Sequence, residues 1–184
     1  QVVAEFNAAE NIEYNESGFT QNSRNIIIGS TNNTAEIFSL STRKKIGELT
    51  GFLNQRDRGG IIYDPNSIWD QQIARYVRFR NQLLISRDGK SLIKGKFGTK
   101  AKRWDIATGK TQMEYAGHEK SMLCYDLSTD GTRLITGGGD GKIMLWNVST
   151  GDTIRTIRAS RHPILDIHFN TDETSVVASS WDAT

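Results

Sequence analysis

The run GGGDGK at 137–142 has the glycines and the lysine of a loop that cradles phosphate. Such a loop needs a glycine five positions before its Gly-Lys pair and a hydroxyl after it to hold magnesium. Thr136 and Ile143 stand in those two places, so the chemistry fails on spacing. DLSTDG, from Asp126, has the oxygens that open a calcium loop, but its twelfth position is Gly137 where a bidentate glutamate must close the shell. His162 and His168, with Cys124 as the single cysteine, are too few for zinc and read as ordinary strand residues. With no nucleophile set, metal cluster or cofactor fingerprint, the expectation is a protein that is not an enzyme and takes no cofactor.

The elements that carry these residues are short. Two prolines, seventeen glycines and many alternating apolar runs between Gly, Asp, Asn, Ser and Thr clusters predict a mostly β chain. The 184 residues are 36% hydrophobic and 24% charged, with a formal charge of +2, as in a globular domain. No run approaches the ~18 apolar residues of a membrane helix, and QVVAEFNAAE at the start lacks the basic tip and apolar centre of a signal peptide. These features predict an intracellular protein, cytoplasmic or nuclear, with no membrane partner. A lone cysteine suits a reducing compartment, which removes weight from the N-x-S/T triplets at Asn15, Asn32 and Asn147. Gln1 in place of methionine reads as the start of a segment from a longer chain.

Shifting the sequence by 42 residues aligns SRDGKSLIKGKFGTKAKRWDIATGKT, from Ser86, with STDGTRLITGGGDGKIMLWNVSTGDT, from Ser128, without a gap. The same shift puts Leu123 on Leu165, Leu127 on Phe169, and Leu134 and Ile135 on Val176 and Val177. A shift of 66 lays NIIIGSTNNTAEIFSLSTR, from Asn25, over SLIKGKFGTKAKRWDIATG, from Ser91, with Phe38 in the place of Trp104; the extra 24 residues are an insertion. Each repeat divides into MLCYDL-, RLITGG-, KIMLWNV- and DTIRTIR-like strands separated by Asp-Gly or Thr-Gly turns, where glycine tolerates the positive φ of a hairpin. A period of 40 to 45 residues made of four strands is that of a propeller blade.

The stretch 116–151, AGHEKSMLCYDLSTDGTRLITGGGDGKIMLWNVSTG, resembles a blade of the WD40-repeat family, with its Gly-His, its Asp six residues before Trp, and Trp-Asn for the usual Trp-Asp. The resemblance implies an all-β WD40-type β-propeller, about three and a half four-stranded blades of an incomplete ring. It divides one propeller domain into a degenerate first blade at 1–51, an inserted loop at 52–78, a basic second blade at 79–115, the best-matching third blade at 116–158 and the start of a fourth at 159–184. It also implies that His118, Thr136, Asp140 and Trp146 form a buried hydrogen-bonded chain, a structural device and not a catalytic set. In the fourth copy Trp181-Asp182 falls on Gly139-Asp140, out of phase with the blade's own tryptophan position near 188, and Ser160 replaces the histidine, so the expected network there is partial.

The second copy departs from the pattern: Lys94 replaces the Thr136-type hydroxyl, Gly98 the Asp140-type carboxylate and Arg103 the Leu145-type core residue. It is also basic, with ten Lys or Arg between Arg75 and Arg103 against Asp88 alone. In one reading Arg75, Arg78, Arg80, Lys94, Lys96, Lys100 and Lys102 form a patch for RNA or an acidic protein surface; in the other they are a solvated or internally paired face. The insertion carries Ile61, Ile62, Ile68 and Trp69, either a docking loop or a loop folded on its own blade.

The function expected is a non-catalytic protein-protein interaction scaffold or adaptor, a WD-repeat subunit of a larger assembly. The first rival is an RNA-contacting subunit of a ribonucleoprotein, through the basic second blade. The second is a substrate receptor of a cullin-type ubiquitin ligase. Members of that class carry Arg two residues after Trp-Asp, and Ala107 and Ser149 stand there in this chain.

Overall fold

The computed structural model describes residues 14–19, 24–30, 34–50, 83–86, 88–95 and 99–182. The elements that follow fall within them. The first sheet is formed by β1 (Tyr14–Phe19), β2 (Asn25–Ser30), β3 (Thr34–Ser39) and β4 (Lys45–Thr50); the second by β5 (Leu84–Ile85), β6 (Ser91–Lys94), β7 (Lys100–Asp105) and β8 (Thr111–Ala116). The third is β9 (Met122–Leu127), β10 (Arg133–Gly138), β11 (Lys142–Asn147) and β12 (Thr153–Arg158), and β13 (Ile164–Phe169) pairs with β14 (Val176–Ser180). Each sheet runs in sequence order, and no helix occurs among the described residues. The described residues meet the all-β expectation, with three four-stranded antiparallel sheets and a two-stranded one where the fourth repeat begins.

The chain divides into two compact units. The first comprises 1–55, 82–94 and 103–112. Its core is Ile27, Ala35, Ile37, Leu49, Leu92, Trp104 and Ile106. Antiparallel register sets Ile27 opposite Ile37 and Gly29 opposite Ala35, so the period-2 alternation of the two strands delivers these side chains to one face.

The second unit comprises 56–81, 95–102 and 113–184. Here β10 is buried on both faces. Ile135 lies opposite Leu145 and Gly137 opposite Ile143, and this face packs with Ile164 and Ile167 of β13. The alternate residues, Leu134 opposite Trp146 and Thr136 opposite Met144, point the other way and are equally buried. Two covered faces explain why RLITGG reads as a continuous rather than an alternating buried run.

The 42-residue period is repeated in turn chemistry. Asp88, Asp130 and Asp172 each accept the backbone N–H two residues on, at 3.0, 2.9 and 2.9 Å. The next residue has positive φ in all three copies: Gly89 at 68°, Gly131 at 73° and Glu173 at 56°. A side chain there costs about 1 kcal/mol of backbone strain, and Glu173 offsets it with contacts that glycine lacks. Its carboxylate accepts from the Thr129 N–H and pairs with the Arg133 guanidinium at 2.8 Å, which also lies 5.3 Å from the Phe169 ring centroid.

Candidate functional site

His118, Thr136, Asp140 and Trp146 meet inside the third sheet's surroundings, none more than 7% exposed. His118 enters from the segment between β8 and β9, Thr136 from the middle of β10, Asp140 from the β10–β11 turn and Trp146 from β11. The Trp146 indole Nε1–H lies 2.9 Å from the Thr136 hydroxyl oxygen; that oxygen lies 2.8 Å from His118 Nε2, and His118 Nδ1 is 3.1 Å from the Asp140 carboxylate.

The direction of the chain follows from its first member. Indole only donates, so the hydroxyl accepts from Trp146 and turns its own proton to His118 Nε2. Nε2 is then an acceptor, and the Nδ1–H donates to Asp140. The ring is therefore the neutral Nδ1–H tautomer. Burial, which outweighs the nearby Asp140 charge, holds the His118 pKa below its ordinary value and agrees with this. Burial alone would raise the Asp140 carboxyl, but the backbone N–H groups of Glu119 and Lys142, at 2.9 and 3.1 Å, and His118 together keep it below the usual carboxylate value.

A hydroxyl, an imidazole and a carboxylate in this order resemble a nucleophilic triad. Their surroundings forbid that chemistry. Thr136 is 0% exposed and its oxygen accepts from the indole, so it is not presented as a nucleophile. What the arrangement does is tie β10, β11, the turn between them and the β8–β9 segment into one register, since each polar group would be costly to bury alone.

Other expected site residues are placed differently. Lys94 does not belong to a surface patch: on β6, at the position matching Thr136, it is 5% exposed because that register position points inward. Lys100 and Lys102 both approach Glu114, at 3.3 and 3.4 Å, which neutralises part of their charge within the molecule. Arg75, Arg78, Arg80 and Lys96, and the loop residues Ile61, Ile62, Ile68 and Trp69, lie outside the described residues. His168 is a residue of β13, whereas His162 precedes that strand and contacts Asp182 at 3.1 Å. Ser160 also donates to Asp182, at 2.8 Å, so the fourth copy has a small exposed counterpart of the His118–Asp140 link. Among the described residues no group of three His, Cys, Asp or Glu is placed to hold a metal ion, and no helix is long and apolar enough to cross a membrane.

Two features escaped the sequence reading. Tyr115 of β8 donates to the Val148 carbonyl at 2.9 Å and packs edge-on to Trp146, with ring centroids 6.0 Å apart. The last strand of one repeat is thereby fastened to the third strand of the next. The signal was available in the 42- and 66-residue shifts, which align Tyr115 with Leu49 and Ile157. The other is Arg155, Arg158 and Arg161, exposed cations without an ion-pair partner among the described residues.

A family model described as "WD domain, G-beta repeat" matches residues 109–147. That span covers β8 to β11, one strand out of phase with the sheets, which is where Tyr115 makes its link. No curated protein matches the chain. Among solved structures, the "crystal structure of the computationally designed Ika4 protein" superposes with a TM-score of 0.68 at 17% identity, covering 100% of this chain and 94% of that one. At that identity the likeness bears on fold alone. Residues 109–147 therefore carry a WD repeat, and the described residues on either side of it form antiparallel sheets of the same meander.

Proposed function

We propose that this chain is a non-catalytic interaction scaffold, a WD-repeat subunit of a larger intracellular protein assembly. Domains built on WD repeats generally bind other proteins, and that is the coarse role the matched repeat supports. The observation that carries the reading is the internal use of the polar chain. His118, Thr136, Asp140 and Trp146 spend their hydrogen bonds on one another and on backbone, so they stiffen a framework and leave recognition to exposed strands and turns. The domain division at 51, 78, 115 and 158 belongs to the same proposal, with the insertion at 52–78 as a docking loop.

The test is affinity purification of the tagged chain after crosslinking in its native cells, with and without ribonuclease. Partner proteins recovered in near-stoichiometric amount and insensitive to ribonuclease are expected. Recovery that collapses on ribonuclease treatment overturns the reading in favour of a ribonucleoprotein role. A partner set made of ubiquitin-ligase core subunits selects the receptor role.

A further inference from the structure

The outer strands of the three four-stranded sheets occupy equivalent positions and differ in how they treat charge. In β4, Lys45 pairs with Glu36 at 2.6 Å and with Glu48 at 2.7 Å. In β8, Glu114 takes both Lys100 and Lys102. The residue of β12 that aligns with Glu48 and Glu114 is Thr156, and residues 153–162 hold Arg155, Arg158 and Arg161 with no acid. Every residue of β12 is exposed, with Ile154 53% exposed beside Arg155 and Ile157 41% exposed between Arg155 and Arg158.

β12 is also the end strand of its sheet, paired with β11 and with no other described strand. An unpaired edge is a template for a further strand, and cations along it repel a second copy of the same edge. They favour an occupant of the opposite sign. We infer that the edge of β12 is a docking site for an extended acidic segment of a partner protein, which adds as a fifth strand and brings the carboxylates that β12 lacks. This rests on the scaffold reading and names its surface.

Side chains alternate faces along a strand, so Arg155 and Arg158, three residues apart, lie on opposite faces. The matching segment carries acids three residues apart, one for each face, with an apolar residue to cover Ile154. Backbone pairing supplies the affinity and the arginines select the partner.

The probe is a fluorescein-labelled peptide of about ten residues, valines and threonines with two glutamates three apart, titrated into the 184-residue chain by fluorescence anisotropy. The wild-type chain is expected to bind it, and Arg155→Glu with Arg158→Glu to weaken binding about tenfold or more. Arg155→Lys with Arg158→Lys retains most of it. The same peptide with a central proline keeps its charge but cannot pair, and its binding is expected to be lost. This last measurement needs only the wild-type chain, so it decides the matter even where the charge-reversed variant fails to fold. No binding by the wild-type chain, or equal binding of the proline peptide, overturns the proposal. So does an oligouridylate that binds as tightly and displaces the acidic peptide with the same dependence on the arginines. If crosslinked partner proteins are recovered equally from the charge-reversed chain, the scaffold reading stands and this surface is wrong. If no partner proteins are recovered at all, the scaffold reading itself fails.

Discussion

The second and third sheets are aligned residue for residue by a 42-residue shift, yet they hold themselves together by different means. The third places Thr136 and Asp140 so that Trp146 and His118 close a buried polar chain. At the corresponding positions the second has Lys94 and Gly98, and the residue 42 before His118 is Tyr76. Trp104 and Leu92 of the second sheet instead join an apolar cluster with Ile27, Ile37 and Leu49. The same backbone meander thus survives loss of the network where apolar packing suffices. The network is a means of fixing register and turns, not a condition for forming the sheet.

The sharpest test of that contrast is Trp146→Ala. It removes a 1% exposed side chain together with the donor that starts the chain, and is expected to cost about 3–5 kcal/mol in urea unfolding. Asp140→Ala comes next, at about 2–3 kcal/mol, because it strands the N–H groups of His118, Glu119 and Lys142. A cost no larger than that of a surface substitution would show that the network adds nothing to the third sheet. Thr136→Val keeps shape and removes the central hydroxyl; about 1–3 kcal/mol is expected, read from the shift in denaturation midpoint at unchanged slope.

Acidification should separate the sheets more gently. The folded pKa of His118 lies below its ordinary 6.5. As pH falls through about 6.5 the unfolded chain therefore binds a proton that the folded chain refuses, and stability falls until the folded value is reached. Asp130 and Asp140 act further down. Asp130, with the Ser128 hydroxyl and the Thr132 N–H and hydroxyl bonded to its carboxylate, is lowered to about 2, so its contribution is present above 3.8 and lost as pH falls toward about 2. Denaturation measured from about pH 7.5 to about pH 5.5 should slope downward in the wild type and less in His118→Gln. An unchanged slope in the variant would remove His118 as the cause. The smallest effect is expected from Lys94→Thr with Gly98→Asp. Tyr76 gives that copy no imidazole, so the pair should move the unfolding midpoint less than any of the third-sheet variants.

Most of the strand order was legible because each strand lies between turns whose residues have a mechanical reason to be there. Asp88, Asp130 and Asp172 bond the same N–H in each copy, and the positive-φ position follows each of them. Surface assignments were less legible. Linear charge density marked 75–103, but Lys94 turned inward and Glu114 captured Lys100 and Lys102. The three arginines from 155 to 161 make a weaker signal along the chain, and their isolation shows only when the neighbours of β12 are known.

From the sequence alone come the period, the strands, the turns and the four residues whose types suit a buried relay, since these depend on spacing along one chain. Which cations are covered, which are paired and which edge is left open was decided by the tertiary structure. Pairing and burial depend on residues far apart in sequence: Lys100 meets Glu114 across a sheet, and Tyr115 reaches the Val148 carbonyl. No local pattern of residue types specifies those distances.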